Sequence, residues 1–253
     1  MGTIKSIWRL AVASAKQILR SKEVFATMIL FPGSLLFVLA LFSNLQWETE
    51  AGSIQFMDHW ITGLGVLGVA LGNGHAFLST ISNYKAGGVL KRISVTPVSP
   101  AQLILGEVLP RGLMGILTIT GFFAIGRALG ANVRVDPGVL AVLPVMVIVT
   151  ATGLSIAFVI AGLTKTPQNA NALDSAISFP LYLFTGAMFP LAAFPDWLEN
   201  LARYIPYTGL LSAVRGIIIH GQALGDFGPE LTISLIWMAV LFAAAARAYR
   251  FVR

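Results

Sequence analysis

Cysteine is absent from the 253 residues, which excludes disulfides and thiolate-held metals. Histidine occurs three times, at His59, His75 and His220, without a ligand-like spacing, so no metal site is expected. No GxxxxGK[ST] phosphate loop is present, so the chain is not expected to be an ATPase or another enzyme in its own right. Charge is scarce as well: Asp, Glu, Lys and Arg make up 11% of the residues against 56% hydrophobic. With a mean hydropathy of +0.80, such a chain cannot hide its apolar surface in one soluble core, and it belongs in a bilayer. The formal charge of +6 then reports topology before it reports partners, and no nucleic-acid partner is expected.

Six apolar stretches are each near the roughly 20 residues needed to cross the hydrocarbon. They fall at about Val24 to Asn44, Trp60 to Ile81, Gly112 to Leu129, Val139 to Leu163, Ala172 to Phe194 and Leu231 to Ala246. Placing both termini in the cytoplasm leaves only Arg127, Arg134, Arg203 and Arg215 outside, out of 17 Lys and Arg. The first outer loop, Gln46 to His59, contains Glu48, Glu50 and Asp58 and no basic residue. The expected fold class is an all-α membrane protein of six spans in a bacterial-type cytoplasmic membrane.

Ahead of the spans, residues 1–23 read as a cytoplasmic amphipathic helix, leaving 24–253 as the membrane domain. At 100 degrees per residue, Lys5, Arg9, Lys16 and Arg20 fall within an arc of roughly 60 degrees. Ile4, Ile7, Trp8, Ala11, Ala15, Ile18 and Leu19 share another arc of roughly 120 degrees, the pattern of an interfacial helix lying on lipid.

Between the second and third spans, residues 83–103 form a polar island holding Lys85, Lys91 and Arg92 and no acid. Gly87 and Gly88 loosen the backbone, and Val89, Leu90 and Ile93 recur at helical spacing. Pro97 and Pro100 then break the helix, and Ser99-Pro100 restarts one, with Ser99 as N-cap and Pro100 at the first helical position. By local features alone this is either a capped cytoplasmic loop or a contact for a partner.

Several polar groups sit at membrane depth. Glu107 and Arg111 can pair four residues apart around Pro110, near the cytoplasmic interface. Asp174 is expected to cap the fifth span, in preference to relaying protons. Gly72-Asn73-Gly74-His75 either packs a helix crossing or lines a substrate route. In the fifth span, Phe179, Tyr182 and Phe184 fit an aromatic-tolerant route and fit ordinary packing equally. After that span, residues 186–222 carry Pro190, Pro195 and Pro206 between two short amphipathic patterns. These are expected to dip into the outer leaflet, as a lid over an exit or as a packed loop.

Together, the basic N-terminal helix, the segment GGVLKRISVTPVSP and the run GAMFPLAAFPDWLENLARYIPYTGLLSAVRGIIIHG resemble the ABC-2-type permeases, particularly their short drug-exporter branch. The resemblance covers nearly the whole chain. It implies half of an exporter, pairing with a copy of itself or a sibling and driven by a separate nucleotide-binding ATPase. ATP and magnesium would be held by that ATPase, and this chain would carry no cofactor. ATPase coupling would fall to Lys5, Arg9, Lys16, Arg20, Tyr84, Lys85, Gly87, Leu90, Lys91 and Arg92. A substrate path would run past Asn73, His75, Phe179, Tyr182 and Phe184, toward an outer gate of Phe189, Pro190, Pro195, Trp197, Pro206 and Arg215. The chain departs from the family in having Asn83-Tyr84-Lys85-Ala86 where glutamates commonly precede the glycine. A proton-driven carrier using Glu107 or Asp174, and a non-transporting membrane subunit, are the rival readings.

Overall fold

The computed structural model describes residues 52–88 and 100–248 continuously, the strand 46–49, and parts of 8–20 and 34–41. Among these residues the elements are two strands, β1 (Gln46–Thr49) and β2 (Gly52–Gln55), and seven α-helices. The helices are α1 (Phe56–Ala86), α2 (Pro100–Ala128), α3 (Val142–Leu163), α4 (Pro167–Phe184), α5 (Asp196–Ala202), α6 (Thr208–Arg215) and α7 (Gly228–Ala248). The all-α expectation holds apart from one hairpin, in which β1 pairs antiparallel with β2, Trp47 opposite Ile54.

Four segments are long and apolar enough to cross a membrane: Phe56–Ala86, Gly106–Ala128, Pro137–Leu163 and Leu224–Arg247. They correspond to the second, third, fourth and sixth expected spans. The expected first span lies mostly outside the described residues. The fifth differs. Its helix α4 begins earlier, at Pro167, with Thr166 as N-cap accepting from Asn169 N, and ends at Phe184 rather than Phe194. Its first turns, Pro-Gln-Asn-Ala-Asn, are polar, which is why its 18 residues are not among the four apolar spans. Gly186, with φ of 79°, stops the chain from continuing as a helix.

The core forms two clusters along the helix axes. The larger joins Met57 to Leu71 of α1, Ile119 to Phe123 of α2, Val142 to Val149 of α3 and Tyr207 to Ile218 around α6. The smaller joins Phe77, Leu78 and Ile81 of α1, Val108 of α2, Leu154 to Ala161 of α3, Ala170 and Ala245. Between them lies a polar waist of buried Asn73, Arg111, Thr150, Thr152 and Ser155. The three hydroxyls donate to carbonyls in the preceding turn of their own helix, so they add no exposed polarity. Glycine makes the waist narrow: a Cβ on Gly74 would meet the Gly153 carbonyl oxygen at 3.1 Å, and one on Gly153 would clash with the Ala70 carbonyl. Helices α1 and α3 thus touch backbone to backbone, the arrangement by which membrane helices gain dispersion contact where lipid offers no hydrophobic drive.

The segment after α4 splits in two. Helix α6 continues into a π-turn, Gly216–His220, and buries Leu210, Leu211, Val214, Ile217 and Ile218 in the larger cluster. Of the two options expected for this segment, lid or packed loop, α6 is packed into the core. Helix α5 does remain peripheral, with Trp197 69% and Leu201 60% exposed.

Candidate functional site

The bundle has an Asp58 end and a Lys85 end, set by the direction of α1. Near its middle, Nδ1 of His75 on α1 lies 2.9 Å from Oδ2 of Asp174 on α4. The two side chains are 53% and 11% exposed, so the carboxylate is buried and the imidazole covers it from the open side. Asp174 is therefore not the helix cap expected for it, because Thr166 already holds that role two turns earlier. The Thr166-Pro167 pair repeats the Ser99-Pro100 signal and was readable in the same way.

Helix α4 packs on α1 through one face and leaves the other uncovered. Asn171, Ser175 and Phe179 are exposed, Phe179 at 66%. Tyr182 packs against the larger core cluster, and the Phe184 ring lies 6.3 Å from that of Phe194. The five residues expected along a path thus part company. His75 and Phe179 reach open space, whereas Asn73 is fully buried and its Nδ2 donates to the Arg111 carbonyl at 3.2 Å.

Arg111 and Glu107 do pair, at 2.9 Å on one face of α2. Arg111 is buried within the fold, 4% exposed, and its guanidinium stands 5.3 Å from the Phe77 ring centroid. Phe77 lies eight residues from Lys85, about 12 Å along the axis. The pair tolerates burial because each charge neutralises the other, and a second donor to Glu107 completes the set. That donor is Ser14 of the N-terminal segment, whose hydroxyl is 2.6 Å from Glu107 Oε2. Helical residues 10–16 therefore dock on α2 through Ser14, with Ala11 also buried, while Trp8, Lys16 and Arg20 are exposed. Lys5 and Arg9 lie outside the described residues. Sequence gave no sign of Ser14, which is 93 residues from its partner.

At the Lys85 end, the ammonium group of Lys85 donates to the carbonyls of Ala161 at 2.9 Å and Thr164 at 2.5 Å. These are orphan acceptors at the C-terminus of α3, where the helix dipole favours a cation. Tyr84 packs on the smaller cluster, and Gly87 closes α1 by donating to Asn83 O. Leu90, Lys91 and Arg92, with the expected short helix around them, lie outside the described residues.

The Asp58 end is tied by two polar hubs. Asp58 accepts from Asn132 N at 2.8 Å and Asn132 Nδ2 at 3.0 Å, fastening the α2–α3 loop to α1. Arg215, at the end of α6, donates from Nε to Thr62 Oγ1 at 3.0 Å and from one terminal nitrogen to the carbonyls of His59 and Gly186, each at 3.2 Å. It joins three segments without a carboxylate among these contacts. Of the other expected gate residues, Pro190 is buried, Pro195 caps α5, Pro206 is half-buried, and Phe189 and Trp197 are exposed.

The comparisons with known proteins agree on one family. A family model described as ABC-2 type transporter matches residues 5–219. The daunorubicin resistance ABC transporter permease protein DrrB1 of Streptomyces coeruleorubidus is 22% identical over 252 residues, 98% of this chain and 86% of its own length. The linearmycin resistance permease protein LnrN of Bacillus subtilis is 25% identical over 176 residues, 68% of this chain and 44% of its own. ABC transporter G family member 20 of Dictyostelium discoideum is 24% identical over 166 residues, 65% of this chain and 23% of its own. This chain spans less than half the length of those last two relatives. With the family model extending from the N-terminal helix through α6, over a chain of long apolar helices, the protein is an integral membrane protein belonging to the ABC-2 type transporter family.

Proposed function

We propose that the chain is the permease half of an ATP-driven exporter moving an amphipathic, drug-like or lipid-like solute outward across a bacterial cytoplasmic membrane. ATP and magnesium belong to a separate ATPase, and a second permease, identical or sibling, completes the path. The observation that carries this reading is the uncovered face of α4, where Asn171, Ser175 and Phe179 lie open beside the His75–Asp174 pair. A polar and aromatic face at mid-bundle is costly against lipid, and it is stabilised by a facing half and the solute between them. Six spans, cytoplasmic termini and a cytoplasmic Lys85 end complete the proposal. The resistance-permease names of the relatives support a drug-like cargo.

Coupling follows from the Lys85 end. The N-terminal helix rests on α2 through Ser14 and Glu107, and Arg111 links that contact to Asn73 at the waist. A push on the N-terminal helix is thereby delivered to buried side chains. The test is solute uptake into inverted vesicles carrying the chain and its ATPase. ATP-dependent uptake that survives a protonophore supports the exporter.

One observation favours a second reading. A carboxylate and an imidazole paired between two helices are the groups a proton-coupled carrier uses. Uptake abolished by a protonophore and indifferent to ATP selects that alternative.

A further inference from the structure

A cavity of about 500 Å³ opens at the Asp58 end between α2 and the loop that leads from it to α3, away from the His75–Asp174 pair. Its walls are apolar, from Phe123, Val133, Val139 and Leu140 among others, and its mouth holds Arg127, Arg134 and Asp136. Thr120 and Ala124 line the cavity on α2, and Leu117 and Leu113 continue the same exposed side of that helix; Leu143 and Val147 of α3 are exposed as well. These residues account for part of the exposed apolar surface that neither core cluster uses.

The mouth is charged and built. Arg127 donates to the Val133 carbonyl, which folds its guanidinium back over the loop. Arg134 Nε pairs with Asp136 Oδ2 at 2.7 Å, and Asp136 also accepts from Gly138 N at 2.9 Å. The adjacent Arg134 holds the Asp136 carboxyl below the usual range, so it stays ionised. Two guanidinium groups and one carboxylate leave a net charge of +1, and a guanidinium still has donors beyond those named.

From this juxtaposition we infer that the cleft is a binding site for one anionic glycerophospholipid, its phosphodiester on Arg127 and Arg134 and an acyl chain along Leu117 and Leu113. Charge complementarity selects the occupant: the forked donors match phosphate oxygens, and a headgroup of net charge −1 neutralises the mouth. On the proposed orientation this lipid belongs to the outer leaflet. Bound there, it fills the gap between α2 and the following loop, and braces that loop where Asn132 fastens it to Asp58.

The experiment is native mass spectrometry of the full chain in detergent, offered phosphatidylglycerol or phosphatidylcholine in equal amounts. Both lipids offer the same phosphodiester, but the choline cation leaves the +1 mouth unneutralised, so wild type should retain one phosphatidylglycerol about tenfold better, which corresponds to about 1.4 kcal/mol. Arg127→Gln keeps a donor for Val133 and should erase that preference. Ala124→Trp fills the cleft with both arginines intact and should abolish retention of either lipid, with Leu140→Trp as a second filling variant should the first not fold. Equal retention of both lipids by wild type would overturn the site. So would a monomer produced by Ala124→Trp from a dimeric wild type, which would assign the face to a second copy of the chain. Neither result depends on what is transported, so it leaves the exporter reading standing.

Discussion

His75 and Asp174 stand 99 positions apart in sequence and 2.9 Å apart in space, and they fasten α1 to α4 at mid-bundle. A double-mutant cycle measures what the contact contributes. His75→Ala and Asp174→Asn should each lower thermal stability in detergent, and the double variant should lose less than their sum. The coupling expected is about 1 kcal/mol, reduced from that of a fully buried pair because the imidazole is half-exposed. Additive losses would show that the pair contributes nothing.

Glycines 72 and 153 make opposite predictions. A Cβ on Gly153 would run into the Ala70 carbonyl, so Gly153→Ala should force α1 and α3 apart and cost about 1–3 kcal/mol. A Cβ on Gly72 meets nothing within 4 Å, so Gly72→Ala should be neutral or stabilise by up to about 1 kcal/mol through helix propensity. Melting temperatures in one detergent decide both.

Arg215 should resist conservative replacement. Its Nε and terminal nitrogen reach Thr62, His59 and Gly186 at once, a spread that a lysine ammonium cannot reproduce. Arg215→Ala should cost about 2–3 kcal/mol by stranding buried carbonyls, and Arg215→Lys should recover less than half of that. Faster hydrogen exchange at 185–187 in both variants is the accompanying local sign.

Asp58→Ala removes the acceptor for two Asn132 donors and should release the α2–α3 loop, lowering stability by about 1–3 kcal/mol. Asp58→Asn keeps one carbonyl oxygen and should lie between. Hydrogen exchange of the Asn132 amide reads the effect directly.

Local patterns in the sequence were reliable where partners lie within one helix. Glu107 and Arg111 at i, i+4 and the helix start at Pro100 both follow from nearest-neighbour chemistry. Contacts between helices were illegible, because hydropathy tells that α1 crosses α3 and α4 but not at which turn. Hence nothing local shows that Asp174 meets His75 or that α6 packs into the larger cluster. The fifth helix was misplaced for a related reason: its first turns are polar, and an apolar window starts where they end. The contact of Lys85 with two carbonyls of α3 is illegible in the same way.

The central claim is that an external ATPase drives this chain through its Lys85 end. The most direct test is to purify the chain from its native membrane, identify what remains bound, and assay ATP hydrolysis and vesicle uptake, with wild type and with Lys91→Glu. The account predicts a stoichiometric nucleotide-binding subunit and protonophore-insensitive, ATP-dependent uptake that Lys91→Glu uncouples from hydrolysis. An ATP-inert assembly of this chain alone, moving solute down a proton gradient, would contradict it.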